Sequence, residues 1–485
     1  MTDYYSALSV DLTLVLPELV LLIGAAAILG LACTSRLSKF APTVALVALL
    51  VSLWMALNQW GHQGSGFSDM VMCDSFGITF KIIFTVASII CLFMGQRFMA
   101  VKGISRAEFY ALLLISTMGM MVMANTADLV IMFLGLEIMS VPLYVMAGFN
   151  RRSLSSNEAG IKYFLMGAFA TAFLIMGIAF VYGAAETTNL RRIVTDFSYI
   201  VHHNQYASYL YAGVALILVG FGFKVAAVPF HTWVPDVYQG APTPVTAFFS
   251  VAPKAAGFAV LLRLFAYTFT PIDILTPILW VLAVLTMTVG NILALRQDNV
   301  KRMLAYSSIA HAGYLMVALT VGGADAVSSA VFYIVAYTMF NLGGFTVVTV
   351  LETRSNARSD FTELAGLSKA HPFLCAVLAL FMFALAGFPP TAGFFGKFYI
   401  FSAAVQSGYI WLAVIGVLNS FVSVYYYLRV VKVSYFDSLE TSFVPATLNL
   451  SILIALVITT AGTIGLGLFP QQLLELSQLA VFGMP

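Results

Sequence analysis

Lys224, Lys254 and Lys397 each stand deep in a run of residues otherwise built for lipid, where an amine can do proton chemistry. Centring a lysine in a bilayer costs about 2.5 to 3.5 kcal/mol even on a lenient insertion scale, so each needs a partner, a water-filled cavity or a neutral amine. Desolvation favours an uncharged amine and a nearby carboxylate favours a charged one, so moving the partner switches such a group between holding and releasing a proton. One acid is placed for this. Glu137 lies near the centre of DLVIMFLGLEIMSVPLYVM, unambiguously at mid-membrane depth. Glu137 and Lys224 are each followed five residues later by a proline, Pro142 and Pro229, which removes a backbone donor and frees a carbonyl. Within a membrane such a break survives only where water or protein satisfies the backbone, so it points to a hydrated interior site. Around Lys397 the order is reversed, because LAGFPPTAGFFGKFYIF places Pro389 and Pro390 before the lysine. His231, just past Pro229, and His311, in LAYSSIAHAGYLMVAL, are either relays between the lysines or satisfied packing residues. Tyr306, Ser307, Ser308 and Tyr314 surround His311 at helical spacing and either hold water or pack helices. The bland alternative for Glu137 and the three lysines is a static buried ion pair that fixes packing.

The elements that position these residues must be membrane helices. The chain has 485 residues, 61% hydrophobic and 9% charged, with mean hydropathy +0.96, far from the composition of a soluble domain. A net charge of +2 with no basic or acidic block offers no footprint for nucleic acid. Cys33, Cys73, Cys91 and Cys375 are scattered with no CxxC, which argues against a metal site, an iron-sulfur cluster or a disulfide scaffold. Asp3 and Asp11 stand where a secretory signal would need basic residues, so the first apolar run reads as a retained helix.

A crossing needs about 20 apolar residues, and the chain divides into about fourteen such runs. They cover residues 13–33, 40–60, 74–96, 107–125, 127–148, 159–183, 207–238, 243–268, 275–295, 300–321, 325–351, 372–404, 408–434 and 448–468. Basic residues favour alternate loops: Arg36, Lys39, Arg97, Lys102, Arg106, Arg151, Arg152, Arg296, Lys301, Arg302, Arg354, Arg358, Lys369, Arg429 and Lys432 on one side, Arg191 and Arg192 on the other. By the positive-inside rule the first set is cytoplasmic and both termini lie outside. Lys81, Lys162 and Arg263 lie near predicted helix ends, where a long side chain can snorkel. The reversed order of lysine and proline in the seventh and twelfth spans is expected if helices 4–8 and 9–13 are copies of one five-helix unit in opposite orientation. The fold class is therefore all-α and polytopic, a single membrane domain over 1–485. It comprises three N-terminal helices (1–106), a first repeat (107–268), a second repeat (275–434) and a C-terminal helix (435–485), with helices 7 and 12 broken.

The stretch FKVAAVPFHTWVPDVYQGAPTPVTAFFSVAPKAAGFAVLLRLF resembles the core of the antiporter-like membrane subunits of respiratory complex I, NADH:quinone oxidoreductase. LGLEIMSVPLYVMAGFNRRS, NEAGIKYFLMGAFATAFL, GNILALRQDNVKRMLAYSSIAHAGYLMVA and GFPPTAGFFGKFYIF carry the same likeness, which runs from about residue 75 to 435. VPDVYQGAPTPVTAFFSVAPK is similar to the N-type subunit. The L-type carries a long lateral helix, for which there are no residues here, and the M-type an acid where Lys397 stands. The resemblance implies fourteen helices in two inverted repeats and a role in proton translocation driven by quinone reduction elsewhere. It implies that Glu137 and Lys224 form a coupled pair, that Lys254 is the central carrier and Lys397 the outlet. Lys162, in NEAGIKY, matches a further lysine of the family. No cofactor would be bound by this chain, with NADH, FMN, iron-sulfur clusters and quinone in partner subunits; the partners would be neighbouring membrane subunits and the bilayer, most naturally a bacterial inner membrane. The proton path then expected runs from Glu137 through Lys224, His231, Lys254 and His311 to Lys397. Two rivals stand beside it. One is a subunit of a cation/proton antiporter or of a related membrane-bound hydrogenase or plastoquinone- or F420-dependent dehydrogenase. The other is a scaffold that only anchors its neighbours. The connection RSNARSDFTELAGLSKAHPF either contacts a partner or is a simple solvated loop.

Overall fold

The structure, a computed structural model, describes residues 11–34, 36–203, 207–270, 272–353, 359–437 and 448–481. Asp3, used above to read the first apolar run as retained, and Arg354 and Arg358, used to orient the chain, lie outside the described residues.

The apolar runs fold as helices because a bilayer leaves backbone groups no other way to pair. In chain order they are α1 (Leu16–Ala32), α2 (Ala41–Asn58), α3 (Ser75–Val101), α4 (Ala107–Ala124), α5 (Leu129–Ala147), α6 (Leu154–Ala185), α7 (Ala207–Val225) and α8 (Val234–Gly240). There follow α9 (Thr243–Arg263), α10 (Leu275–Leu295), α11 (Val300–Val321), α12 (Gly323–Glu352), α13 (Pro372–Ala386), α14 (Ala392–Gln406), α15 (Ile410–Phe436), α16 (Leu450–Leu468) and α17 (Pro470–Val481). Among the described residues twelve helices are long and apolar enough to cross a membrane, and α1 and α13 are shorter apolar helices. Helix starts are capped by side chains that satisfy otherwise orphaned donors. Asp74 accepts from Gly77 N at 2.7 Å, and Asp128 from Val130 N at 2.8 Å. A short hairpin, Gly64–Gly66 with Val71–Cys73, joins α2 to α3.

The seventh and twelfth predicted spans are each two helices. After α7 the chain turns at Ala226, φ 64°, and resumes as α8 eight residues later. The backbone freed there finds partners: Val228 N donates to Thr286 Oγ1 of α10 at 3.0 Å, and the Trp233 indole donates to Phe223 O at 3.2 Å. α13 ends in left-handed Gly387, φ 89°, before α14. Pro142 behaves differently from the expectation of a break. It lies inside α5, which runs unbroken past it, because a membrane helix can absorb one missing donor when neighbouring helices enclose it.

All 21 residues of α9 are buried, which its small residues permit by letting neighbouring backbones approach. A methyl group built on Gly257 would lie 2.8 Å from Val225 Cγ1, so this glycine seats the end of α7 against α9, close to Lys254. The described part of the connection after α12 packs on the protein through buried Phe361, Leu364 and Leu367, which corrects the solvated-loop reading.

Candidate functional site

Lys224, near the end of α7, is 6% exposed. Its Nζ donates to Ser140 Oγ at 2.7 Å and Tyr144 Oη at 3.1 Å, and it stands 5.3 Å from the Tyr144 ring centroid. Both partners come from α5, one and two turns beyond Glu137. The expected ion pair between Glu137 and Lys224 is absent among the described residues. Glu137 is half-buried and instead accepts from Thr171 Oγ1 of α6 at 2.9 Å. Glu137 shares a face of α5 with Ser140 and Tyr144, at i, i+3 and i+7, but its carboxylate bonds Thr171 while the two hydroxyls take the amine.

Lys254, midway along α9 and 4% exposed, donates to Ser308 O at 2.5 Å and to the Ser308 hydroxyl. One turn along α11 from Ser308, His311 is fully enclosed, with Nδ1 2.5 Å from Tyr333 Oη and Nε2 2.9 Å from Tyr427 Oη. Tyr427 also bonds Ser307. The Tyr314 ring lies 5.6 Å from the His311 ring, and on it rests Lys397 Nζ, 5.1 Å from the centroid. Lys397, in α14, donates to Leu385 O at 3.1 Å, Ala386 O at 3.0 Å and Ser420 Oγ at 2.9 Å. Those two carbonyls are orphaned by the end of α13, where the helix dipole favours a cation. The structure thus brings Lys254, His311 and Lys397 into one cluster of hydroxyls and rings. All three deep lysines are held by neutral oxygens, which can accept a hydrogen bond from the amine in either protonation state.

His231, in the break between α7 and α8, is half-buried, and its Nδ1 has no partner among the described residues. Lys162 is 40% exposed and lies apart from the deep cluster: it pairs with Glu158 at 2.6 Å and Asp236 at 2.8 Å, and Asp236 also holds Arg302 at 2.7 Å. Two snorkelling expectations are corrected. Lys81 is fully buried beside Glu18 at 2.8 Å, and Arg263 grips Asp74 with two bonds of 2.8 Å. Both turn inward because a carboxylate from a distant segment meets them there. Sequence reasoning missed Ser140, Tyr144, Tyr333, Tyr427 and Ser420, since a hydroxyl in a membrane helix carries no sign of what it faces. Among the described residues no group of three or more His, Cys, Asp or Glu side chains is gathered as metal ligands would be.

The family model for NADH:quinone oxidoreductase/Mrp antiporter membrane segments matches residues 126–423. NADH-quinone oxidoreductase subunit N of Trichlorobacter lovleyi is 46% identical over 476 residues, covering 98% of this chain and 97% of the relative. Among solved structures, a chain of respiratory complex I from Thermus thermophilus with bound aureothin superposes with TM-score 0.80 at 32% identity, over 95% of this chain and 98% of that one. A chain of the Mrp complex from Dietzia sp. DQ12-45-1b shares the fold, with TM-score 0.86 at 21% identity over 98% of this chain and 97% of that one. A family match over more than half the sequence and close kinship along nearly its whole length lead to one conclusion: the chain belongs to the antiporter-like membrane subunits of NADH:quinone oxidoreductase, the family of subunit N.

Proposed function

We propose that this chain is a proton-translocating membrane subunit of an NADH:quinone oxidoreductase, with the redox chemistry carried out in partner subunits and the proton carried here. The observation that carries the residue assignment is the cluster Lys254, Ser308, His311, Tyr333, Tyr427, Tyr314 and Lys397, which links two buried lysines without a carboxylate. A buried ammonium with no counter-ion is a poor structural element and a serviceable proton carrier. Lys224 lies at the head of this path, and the Gly257 contact brings its helix end against α9. Glu137 acts on Lys224 through the Ser140 and Tyr144 face of α5 and not by direct pairing. A shift of α5 that moved these hydroxyls would change how Lys224 holds its proton. The two five-helix repeats, the cytoplasmic placement of the basic loops in a bacterial inner membrane and the partnership with neighbouring antiporter-like subunits belong to the same reading.

The test is a substitution that separates carrying from charging. Lys254→Met should nearly abolish proton uptake driven by NADH in reconstituted vesicles while the complex still assembles. Lys254→Arg should restore little, because a guanidinium does not release its proton. Arginine variants pumping at the native rate would leave the lysines as static charges. The antiporter alternative shares the Mrp fold. It gains support only if vesicles of the isolated chain exchange Na⁺ for H⁺ with no electron donor.

A further inference from the structure

A polar cavity of about 690 Å³ opens where α3, α5, α8 and α12 end and α6, α9 and α11 begin, walled by Lys102, Glu158, Asp236, Asn299, Lys301 and Glu352. Glu352, the last residue of α12, is 8% exposed and plays no part in the path described so far. Its carboxylate accepts from the hydroxyls of Thr243 and Ser359 and lies 3.5 Å from Lys301 Nζ, which also donates to Ala241 O at 2.8 Å.

From this carboxylate a polar stripe leads inward to Lys254. Thr243, Thr246, Ser250 and Lys254 follow one another on α9 at i, i+3, i+7 and i+11, so they lie on one face, and all are buried. Facing them from α12, Asn341 donates to Ser250 Oγ at 2.6 Å. Asn341 Oδ1 is buried with no partner among the described residues, and one turn away the buried Tyr337 hydroxyl lies beside Ser308, which holds Lys254. Buried polar groups are rarely left unpaired, and where protein does not serve them water does. Asn341 Oδ1, beside the stripe, marks a place for water between Glu352 and Lys254.

We infer that Glu352 is the proton-uptake residue for Lys254. The carboxylate takes a proton from the cavity; its O–H bond then breaks as an N–H bond forms on the uncharged Lys254 amine through the hydroxyls and water of the stripe. The carboxylate is thereby restored, and Lys301 keeps it in place between transfers. This rests on the reading of Lys254 as a carrier.

The experiment uses the whole complex in vesicles, with NADH-driven proton uptake measured in H₂O and D₂O for Glu352→Gln, Glu352→Asp, Asn341→Leu and Lys254→Met. Glutamine keeps the hydrogen bonds of Glu352 but cannot shuttle a proton. It should slow uptake at least about tenfold with a normal amount of complex, and the deuterium effect should rise as uptake becomes limiting. Aspartate should restore most of the rate, and Asn341→Leu should show a smaller loss with the same rise. Native uptake in Glu352→Gln alongside loss in Lys254→Met would overturn the inlet and leave the carrier standing. Native uptake in both would overturn the carrier as well. Equal slowing by Gln and Asp at the native deuterium effect would make Glu352 structural. If Glu352→Gln does not assemble, Asn341→Leu decides, and a native rate there overturns the inlet.

Discussion

Two kinds of buried cation stand in this molecule, and their partners tell them apart. Arg263 and Lys81 hold carboxylates, whereas Lys224, Lys254 and Lys397 hold hydroxyls and carbonyls. Opposite outcomes follow. Arg263→Ala strands Asp74 as an unpaired buried carboxylate, a loss of about 3 to 5 kcal/mol, so the chain should be scarce in membranes while the complex that does assemble pumps near its native rate. Lys397→Met should leave the amount normal and lower the pumping, less severely than Lys254→Met. Immunoblots of membranes beside uptake per complex read both, and an Arg263→Ala complex that accumulates fully but pumps poorly would show that the fixed charge of Arg263 serves the proton path and not only the fold. The same contrast shows what sequence can tell. A charge in mid-span has few explanations, so the three deep lysines are legible. Arg263 is not, because a position near a helix end fits a side chain reaching for water as well as one turned inward, and Asp74 lies 189 residues away. Glu352 and Asp236 are illegible for the same reason, being ordinary acids at helix ends until the fold sets them beside one cavity.

At the level of elements, the two interrupted spans place their lysines beside a helix end, Lys224 at the close of α7 and Lys397 early in α14. Their prolines announce them in the sequence. Pro142 sounds the same and breaks nothing, since what separates Pro142 from Pro229 is the left-handed Ala226 and the donors and acceptors that receive the freed backbone. That information lies in α10 and in the loop itself, beyond any local pattern. Gly387 is the hinge of the second break. A side chain there meets a left-handed φ of 89° and costs about 1 to 2 kcal/mol. Its Cβ would also fall 3.3 Å from Lys397 Nζ, crowding the amine against the carbonyls it binds. Gly387→Ala should therefore lower both the heat-inactivation temperature of the extracted complex and its proton uptake. An alanine variant unchanged in both would show that α13 can end, and Lys397 can sit, without that turn.

For the molecule as a whole, the cavities record the same asymmetry as the charges. The wide polar cavity is lined from segments the positive-inside rule places in the cytoplasm, among them Lys102, Ser155 and Lys301. A smaller cavity of about 270 Å³ is lined by Met72, Ala127, Arg191 and Arg263, from the opposite loops and helix ends. α9 spans the distance between them, with its N-cap Pro242 at the polar cavity and Arg263 at the other. A proton taken up near Glu352 would thus start from the cytoplasmic side, as translocation outward requires, and would leave toward the opposite face by way of Lys397. The direction of transfer depends on which side each cavity faces, and single cysteines can report it. In a chain with exposed Cys33 replaced, Ser155→Cys should react with a membrane-impermeant maleimide only when the reagent reaches the cytoplasmic face. Arg191→Cys should react only from outside, and a reporter fused after Pro485 should be active only outside. Labelling of Ser155→Cys from outside would turn the molecule over, set Glu352 at the outlet of the path and require the direction of transfer along α9 to be reversed.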